Sequence, residues 1–352
     1  MEACKRCGTK GGRPDALHVL NFIDAYLGVI LLSHSGLPMW YHPLYTDGIH
    51  PEARFPRDRY VRVLERLKPY GSAKQEQVVR NPFIEIHTPK PIKREHLLLA
   101  HDEEYVDRFL AGTLTEKEIK RIGLTPWTED MVQRTLLLMG GALEATEHAV
   151  QFGGISANMA GGTHHAHRNF GSGYCVFNDL AVCALHALKN LNVRSVAVLD
   201  LDVHQGDGTA TALEHVKEAL TVSVHCDVNF PFRKSSSDHY LPIASQSGDI
   251  RYLEAVEEAL DLCFEHQPEL LLFQAGVDAL AADALGKLNV TRTGMQQRNE
   301  IVFERAHNHN VPVVVFMGGG YAKPLEDTID AFEDLFTQAA NWSTNRTTPE
   351  VQ

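Results

Sequence analysis

The stretch MAGGTHHAHRNFGSGYC, Met159 to Cys175, sets His164 and His165 side by side behind two glycines. Near neutral pH one imidazole can take a proton and another can give one, which is what cleaving a bond with water requires. Taken alone, the pair could equally be a His-rich solvated loop. A second stretch, DLDVHQGDG, alternates Asp200, Asp202 and His204. Residues two apart in extended chain face the same way, so Asp202 and His204 can grip one cation. Asp278, in QAGVDAL, supplies a third ligand or else caps a helix. Two carboxylates, one imidazole and an open position describe a catalytic site for zinc or a similar divalent ion, formally neutralised yet still able to hold and activate a water. Given such a water, the paired histidines have work as base and acid. Asp200 and Asp207 are not needed as direct ligands and can each orient one imidazole. Tyr321, behind three glycines in MGGGY, can donate to a developing oxyanion, with the glycines letting the backbone approach the substrate.

Elements that must position these residues can be read around them. The runs SVAVLD, LTVSVH, ELLLFQA and PVVVFM are short and β-rich, as strands buried on both faces are, and GISANM precedes the His-His turn as an earlier strand. Between them RYLEAVEEALDLCFEH and GMQQRNEIVFERAHNH repeat apolar residues at three and four, and EDMVQRTLLLMGGALEATEHAVQ predicts a long helix. The fold class expected is α/β: one domain with an open, mostly parallel sheet and helices on both faces. Such sheets bind ligands beyond the carboxyl ends of their strands. All four polar clusters fall there.

Composition bounds the function. The chain has 352 residues, with 33 Lys plus Arg against 45 Asp plus Glu and a formal charge of -12, so no global basic field draws it to nucleic acid or anionic lipid. Six cysteines are too few and scattered for a disulfide framework and point to a reducing, cytoplasmic setting, or a nucleus or organelle in a eukaryote. Cys4 and Cys7 form a CxxC with no second pair to complete a zinc site. The apolar run Ala16 to Ser33 is interrupted by His18, Asn21 and Asp24, falls short of a bilayer span and lacks a clean cleavage site. Residues 1–36 are therefore read as a leader or extra helix, 37–342 as the catalytic domain and 343–352 as a tail.

Together GGTHHAHRNFGSGYCVFND, DLDVHQGDGTA, AGVDALAADALGKLNVT and MGGGYA resemble the zinc-dependent histone deacetylase family, on the arginase/deacetylase fold. Gln205, NFPFRK (Asn229 to Lys234) and ALGKLNVTRTGMQQRNEIVF point to its class IV branch and bacterial relatives. The resemblance runs from Leu37 to Trp342. It implies a metal on Asp202, His204 and Asp278, a His164/His165 pair backed by Asp200 and Asp207, and Tyr321 on the carbonyl. It further implies an acyl-lysine tunnel lined by Gly173 and Tyr174, and a structural potassium near the main chain of Asp200, Asp202 and His204 with Ser223 and Val224. The acidic rim residue of class I enzymes has no counterpart near RIGLTPWTED, and the leader lies outside the family pattern.

The activity implied is removal of an acyl group from lysine side chains of proteins by attack of a zinc-bound water, with His164 as base, His165 as acid toward the leaving amine and ferrous iron as an alternative metal. A second reading keeps the chemistry and changes the substrate to a small acylated amine such as an acetylpolyamine. A two-manganese ureohydrolase needs more bridging carboxylates than these motifs offer. A binding module that had lost activity would be expected to lack one of Asp202, His204, Asp278, Tyr321 or the histidine pair, and none is missing.

Overall fold

In the computed structural model, residues 36–68 and 84–344 are described, and they fall within one compact unit. The CxxC, the apolar run and nearly all of the leader lie outside the described residues, as does the tail from residue 345. Eight strands form one sheet: β1 (Leu37–Trp40), β2 (Ile84–His87), β3 (Ile155–Asn158), β4 (Val196–Asp200), β5 (Ala219–Cys226), β6 (His239–Ile243), β7 (Leu270–Gln274) and β8 (Val313–Phe316). All pairings are parallel, in the order β2-β1-β3-β8-β7-β4-β5-β6. The expected α/β class holds, and the sheet is wholly parallel.

The central strands are buried from end to end because their sequences carry no polar face: Val313 to Phe316, Leu270 to Phe273 and Val196 to Leu199 are at most 1% exposed. Each such side chain contributes roughly 1.5–3 kcal/mol by leaving water. Helices cover the sheet, among them Met131–Phe152, Asp249–Glu265, Arg292–Asn308 and Glu326–Thr344. The last continues past Trp342 through Thr344, so the first residues of the expected tail are helical.

Register brings the site together. Asn158 pairs with Phe316, Phe316 with Gln274, Gln274 with Asp200 and Asp200 with Ser223, forming one transverse row that ends β3, β8, β7 and β4 and crosses β5 within its length. The chain leaves the sheet at this row four times, into the segments that carry His164 and His165, Asp202 and His204, Asp278, and Tyr321. Strands β3 and β4 follow each other in sequence but are separated by β8 and β7, and a ligand crevice forms where strand order reverses in this way.

Candidate active site

Asp202, His204 and Asp278 are buried, and one ligand atom from each lies within 4.8 Å of the others. His204 Nδ1 stands 2.9 Å from Asp202 Oδ1 and 3.1 Å from Asp278 Oδ2. Asp202 Oδ2 accepts from Gln274 Nε2 at 2.8 Å and from the Gly319 amide at 2.9 Å, while Asp278 Oδ1 accepts from the Val203 amide at 2.9 Å. Burial disfavours a charged imidazole, yet the two carboxylates overcome it and raise the His204 pKa to about 10. Burial, then the neighbouring Asp202, pushes Asp278 up to about 7 against the pull of His204. The cluster is thus a buried negative field in want of positive charge, built of oxygen and nitrogen donors, and those donors suit a small divalent cation.

Both histidines of the pair are backed as expected. His164 Nδ1 lies 2.7 Å from Asp200 Oδ2, and His165 Nδ1 lies 2.7 Å from Asp207 Oδ1. The two rings are 4.1 Å apart between centroids, and His164 Nε2 is 3.8 Å from Asp202 Oδ1. Burial opposes charge on His164, but Asp200 and Asp202 outweigh it and raise its pKa to about 9. His165 is lowered to about 4, first by burial and then by the charge of His164. A cation beside Asp202 cancels the field that raises the His164 pKa, so His164 is the imidazole whose basicity a metal would set. His167 shares Asp207 with His165 through Nε2 at 3.1 Å.

Tyr321, Gly173 and Tyr174 meet the metal cluster and the histidine pair on the wall of a single cavity of about 540 Å³. The Tyr321 ring contacts Phe55 and Tyr174, with centroids 6.1 and 5.9 Å away, and burial holds its phenol protonated. Gly319 also has a close approach of its own. A Cβ there would stand 2.1 Å from Asp278 Oδ2 and 2.7 Å from Asp202 Oδ2, so this glycine, itself in the cavity wall, also lets the backbone approach those two carboxylates. Of the residues named for potassium, Ser223 lies beside Asp200 in register and its hydroxyl is 2.9 Å from His225 Nδ1.

Several supporting residues escape a motif reading. Arg59 is buried in the cavity wall, with Nη2 donating to the Gly318 carbonyl at 2.9 Å and the guanidinium over the Phe55 and Tyr60 rings at 4.6 and 4.9 Å. Asp179 accepts from the Gly162 and Thr163 amides at 2.9 and 2.8 Å and from the Thr163 hydroxyl at 2.7 Å, fixing the turn before His164. Arg298 reaches across from its helix to the Gly276 carbonyl at 2.6 Å, two residues before Asp278. Asn229 Nδ2 lies 3.3 Å from His204 Nε2. Only a neighbouring acidic or polar letter in a quoted stretch, such as the Asp of VFND, could have flagged any of them.

Among solved structures, an acetylpolyamine aminohydrolase from Burkholderia pseudomallei shares this architecture with a TM-score of 0.69 at 20% identity, over 86% of this chain and 98% of that one. The fold is that of the arginase/deacetylase class. The histone deacetylase domain family matches residues 52–335. An uncharacterized protein of Picosynechococcus sp. is 38% identical over 295 residues, 84% of this chain and 95% of its own. Histone deacetylase 2 of Arabidopsis thaliana is 30% identical over 78% of this chain and 75% of its own, and the acetoin utilization protein AcuC of Bacillus subtilis 28% identical over 80% and 76%. The chain belongs to the histone deacetylase family and is a hydrolase.

Proposed function

We propose that this chain is a metal-dependent amidohydrolase that removes acetyl or longer acyl groups from lysine side chains of proteins. The observation that carries the reading is convergence on one cavity: the Asp202, His204 and Asp278 cluster, two carboxylate-backed imidazoles and a protonated tyrosine share its wall or stand directly behind it. Asp202, His204 and Asp278 would hold zinc, and the same donors accept ferrous iron. When bound, the divalent ion supplies Lewis acidity toward water and the amide carbonyl.

The chain's own residues do the rest. His164, steered by Asp200, takes a proton at Nε2 from the attacking water as its oxygen bonds to the carbonyl carbon. Tyr321 donates its phenolic hydrogen to the oxyanion that develops. His165, steered by Asp207 and facing the Gly173 wall, hands a proton to the amine nitrogen as the carbon–nitrogen bond breaks. The pair trades protons as a unit, since two imidazoles this close titrate together. Gly173 and Tyr174 line the passage for the lysine stem, within a catalytic domain assigned to residues 37–342. A structural potassium beside the main chain of Asp200, Asp202 and His204, with Ser223 and Val224, completes the proposal. Four free, buried cysteines, Cys175, Cys183, Cys226 and Cys263, suit a reducing, cytoplasmic setting.

A deacylation panel on the zinc-loaded protein tests this reading. Lysine peptides carrying acetyl through myristoyl groups are expected to be hydrolysed, and free acetylputrescine is not. Faster turnover of acetylputrescine than of every peptide overturns it in favour of a small-amine substrate.

A further inference from the structure

The charge at the cavity entrance opposes the charge of the molecule. Across the chain acids outnumber bases by 45 to 33, yet the cavity wall contains Arg59, Arg121, Arg134 and Lys287 and only one acid, Asp202, at the metal cluster. Arg59 and Arg134 are buried, while Arg121 and Lys287 are exposed. Arg54, also exposed, adjoins Phe55 of the wall and is close enough for its charge to act on the Tyr174 phenol. Among the described residues, none of Arg54, Arg121 and Lys287 has an ion-pair partner. Neighbouring acids are committed elsewhere: Asp283 accepts from the Leu285, Gly286 and Tyr321 amides, and Glu118 is paired with Arg108. On the loop from Cys226 to Lys234 the exposed Asp227 is outnumbered by Arg233 and Lys234.

Charges this near an opening act over the Debye length of ~8 Å, which reaches the residues flanking a threaded lysine but not a distant part of a partner. A polyamine brings its second cation into that field, and so does a lysine flanked by Lys or Arg. Asp or Glu beside the acylated lysine would meet unpaired guanidinium and ammonium groups. We infer that Arg54, Arg121 and Lys287 make the entrance a charge filter that selects acyl-lysine in acidic sequence and rejects polycationic amines. The inference rests on the acyl-lysine reading of the cavity and extends it to the residues beside the lysine.

Acetyl-lysine peptides of one length with Asp, Ser or Lys flanks, together with acetylspermidine, provide the test, run at ~50 and ~500 mM salt. The acidic peptide is expected to exceed the basic one in kcat/KM by roughly tenfold or more at low salt, with the ratio collapsing at high salt. In Arg54→Glu/Arg121→Glu/Lys287→Glu, three exposed positions, the order inverts. A ratio within about threefold in the parent, a ratio unmoved by the triple change, or faster turnover of acetylspermidine than of the acidic peptide overturns the filter. Fluorescence anisotropy of labelled acidic and basic peptides reads the same entrance without turnover. Preferential binding of the acidic peptide with no hydrolysis of the Ser-flanked one defeats the acyl-lysine activity and leaves the filter standing, whereas equal binding defeats the filter.

Discussion

Gly173 and His165 leave no room for a methyl group between them: a Cβ on Gly173 would stand 2.6 Å from His165 Cδ2. Gly173 also has φ +52°, a left-handed conformation that non-glycine residues adopt at a cost of ~1–2 kcal/mol. A side chain here therefore moves the His165 imidazole before it obstructs any tunnel. Gly173→Ala is expected to lower deacylation by roughly 100-fold or more, the usual result of displacing a reacting group by about 1 Å, while metal affinity stays at the parent's level. Turnover within threefold of the parent would show that His165 tolerates the shift or takes no part.

Tyr321→Phe isolates the oxyanion donor. The ring packing against Phe55, Tyr174 and Arg59 is kept and one hydroxyl is lost. Turnover is expected to fall by ~100- to 1000-fold, about 2.7–4 kcal/mol, with bound metal unchanged on the same preparation. A loss of threefold or less removes Tyr321 from the mechanism.

Gly319→Ala tests the metal cluster from behind. Its φ is not left-handed, so alanine brings little backbone penalty, but the new methyl displaces Asp278 and Asp202. The dissociation constant for Co²⁺, read by its absorption spectrum, is expected to rise by roughly tenfold or more, in the range seen when outer partners of a metal site are disturbed. Equal Co²⁺ affinity in the two proteins contradicts the assignment of those carboxylates as ligands.

His101 gives the fold an acid limit. Its Nε2 accepts from the Asn178 amide at 2.9 Å and its Nδ1 donates to the His167 carbonyl at 3.0 Å, so the buried ring is neutral. Burial lowers its pKa from 6.5 to about 4. Because the folded pKa is the depressed one, the stabilisation is complete above pH 6.5 and drains away as pH falls toward 4. Urea unfolding at pH ~7.5 and pH ~5 should show the parent losing about 2 kcal/mol more than His101→Gln, which keeps one donor and one acceptor without a titrating ring. Parallel losses in both proteins would acquit His101.

Much of this was legible in the sequence. The runs read as β4, β7 and β8 are apolar up to their last residues, so they announced both strand and burial, while β3 and β5 mix in Ser, Asn, Thr and His and were marked by their β-rich letters and their place between helical patterns. The edge strands and their neighbour β1 were silent: LPMW of β1 and HYLPI of β6 carry a proline each, and IEIH of β2 is too short and polar to stand out. The candidate site residues stood out because Asp, His and Tyr cluster at strand ends, where packing has no use for them. Arg59, Asp179 and Arg298 were not, since each acts on backbone groups brought near only by tertiary folding. The glycines before Tyr321 were legible as close-approach residues, but what they approach depends on the neighbouring strand.

Strand β8, the last among the described residues, lies in the interior of the sheet between β3 and β7. A nascent chain on the ribosome therefore holds an open seam where β8 will go, and until Phe316 and the glycines behind it arrive, Asp202 lacks its Gly319 partner and the cavity its Tyr321 wall. Pairing between strands so far apart in sequence also closes late, because long loops must be ordered first. The surroundings of Asp202 are thus complete only once β8 is made, and premature termination before β8 leaves a gap between β3 and β7 and a cavity without Tyr321.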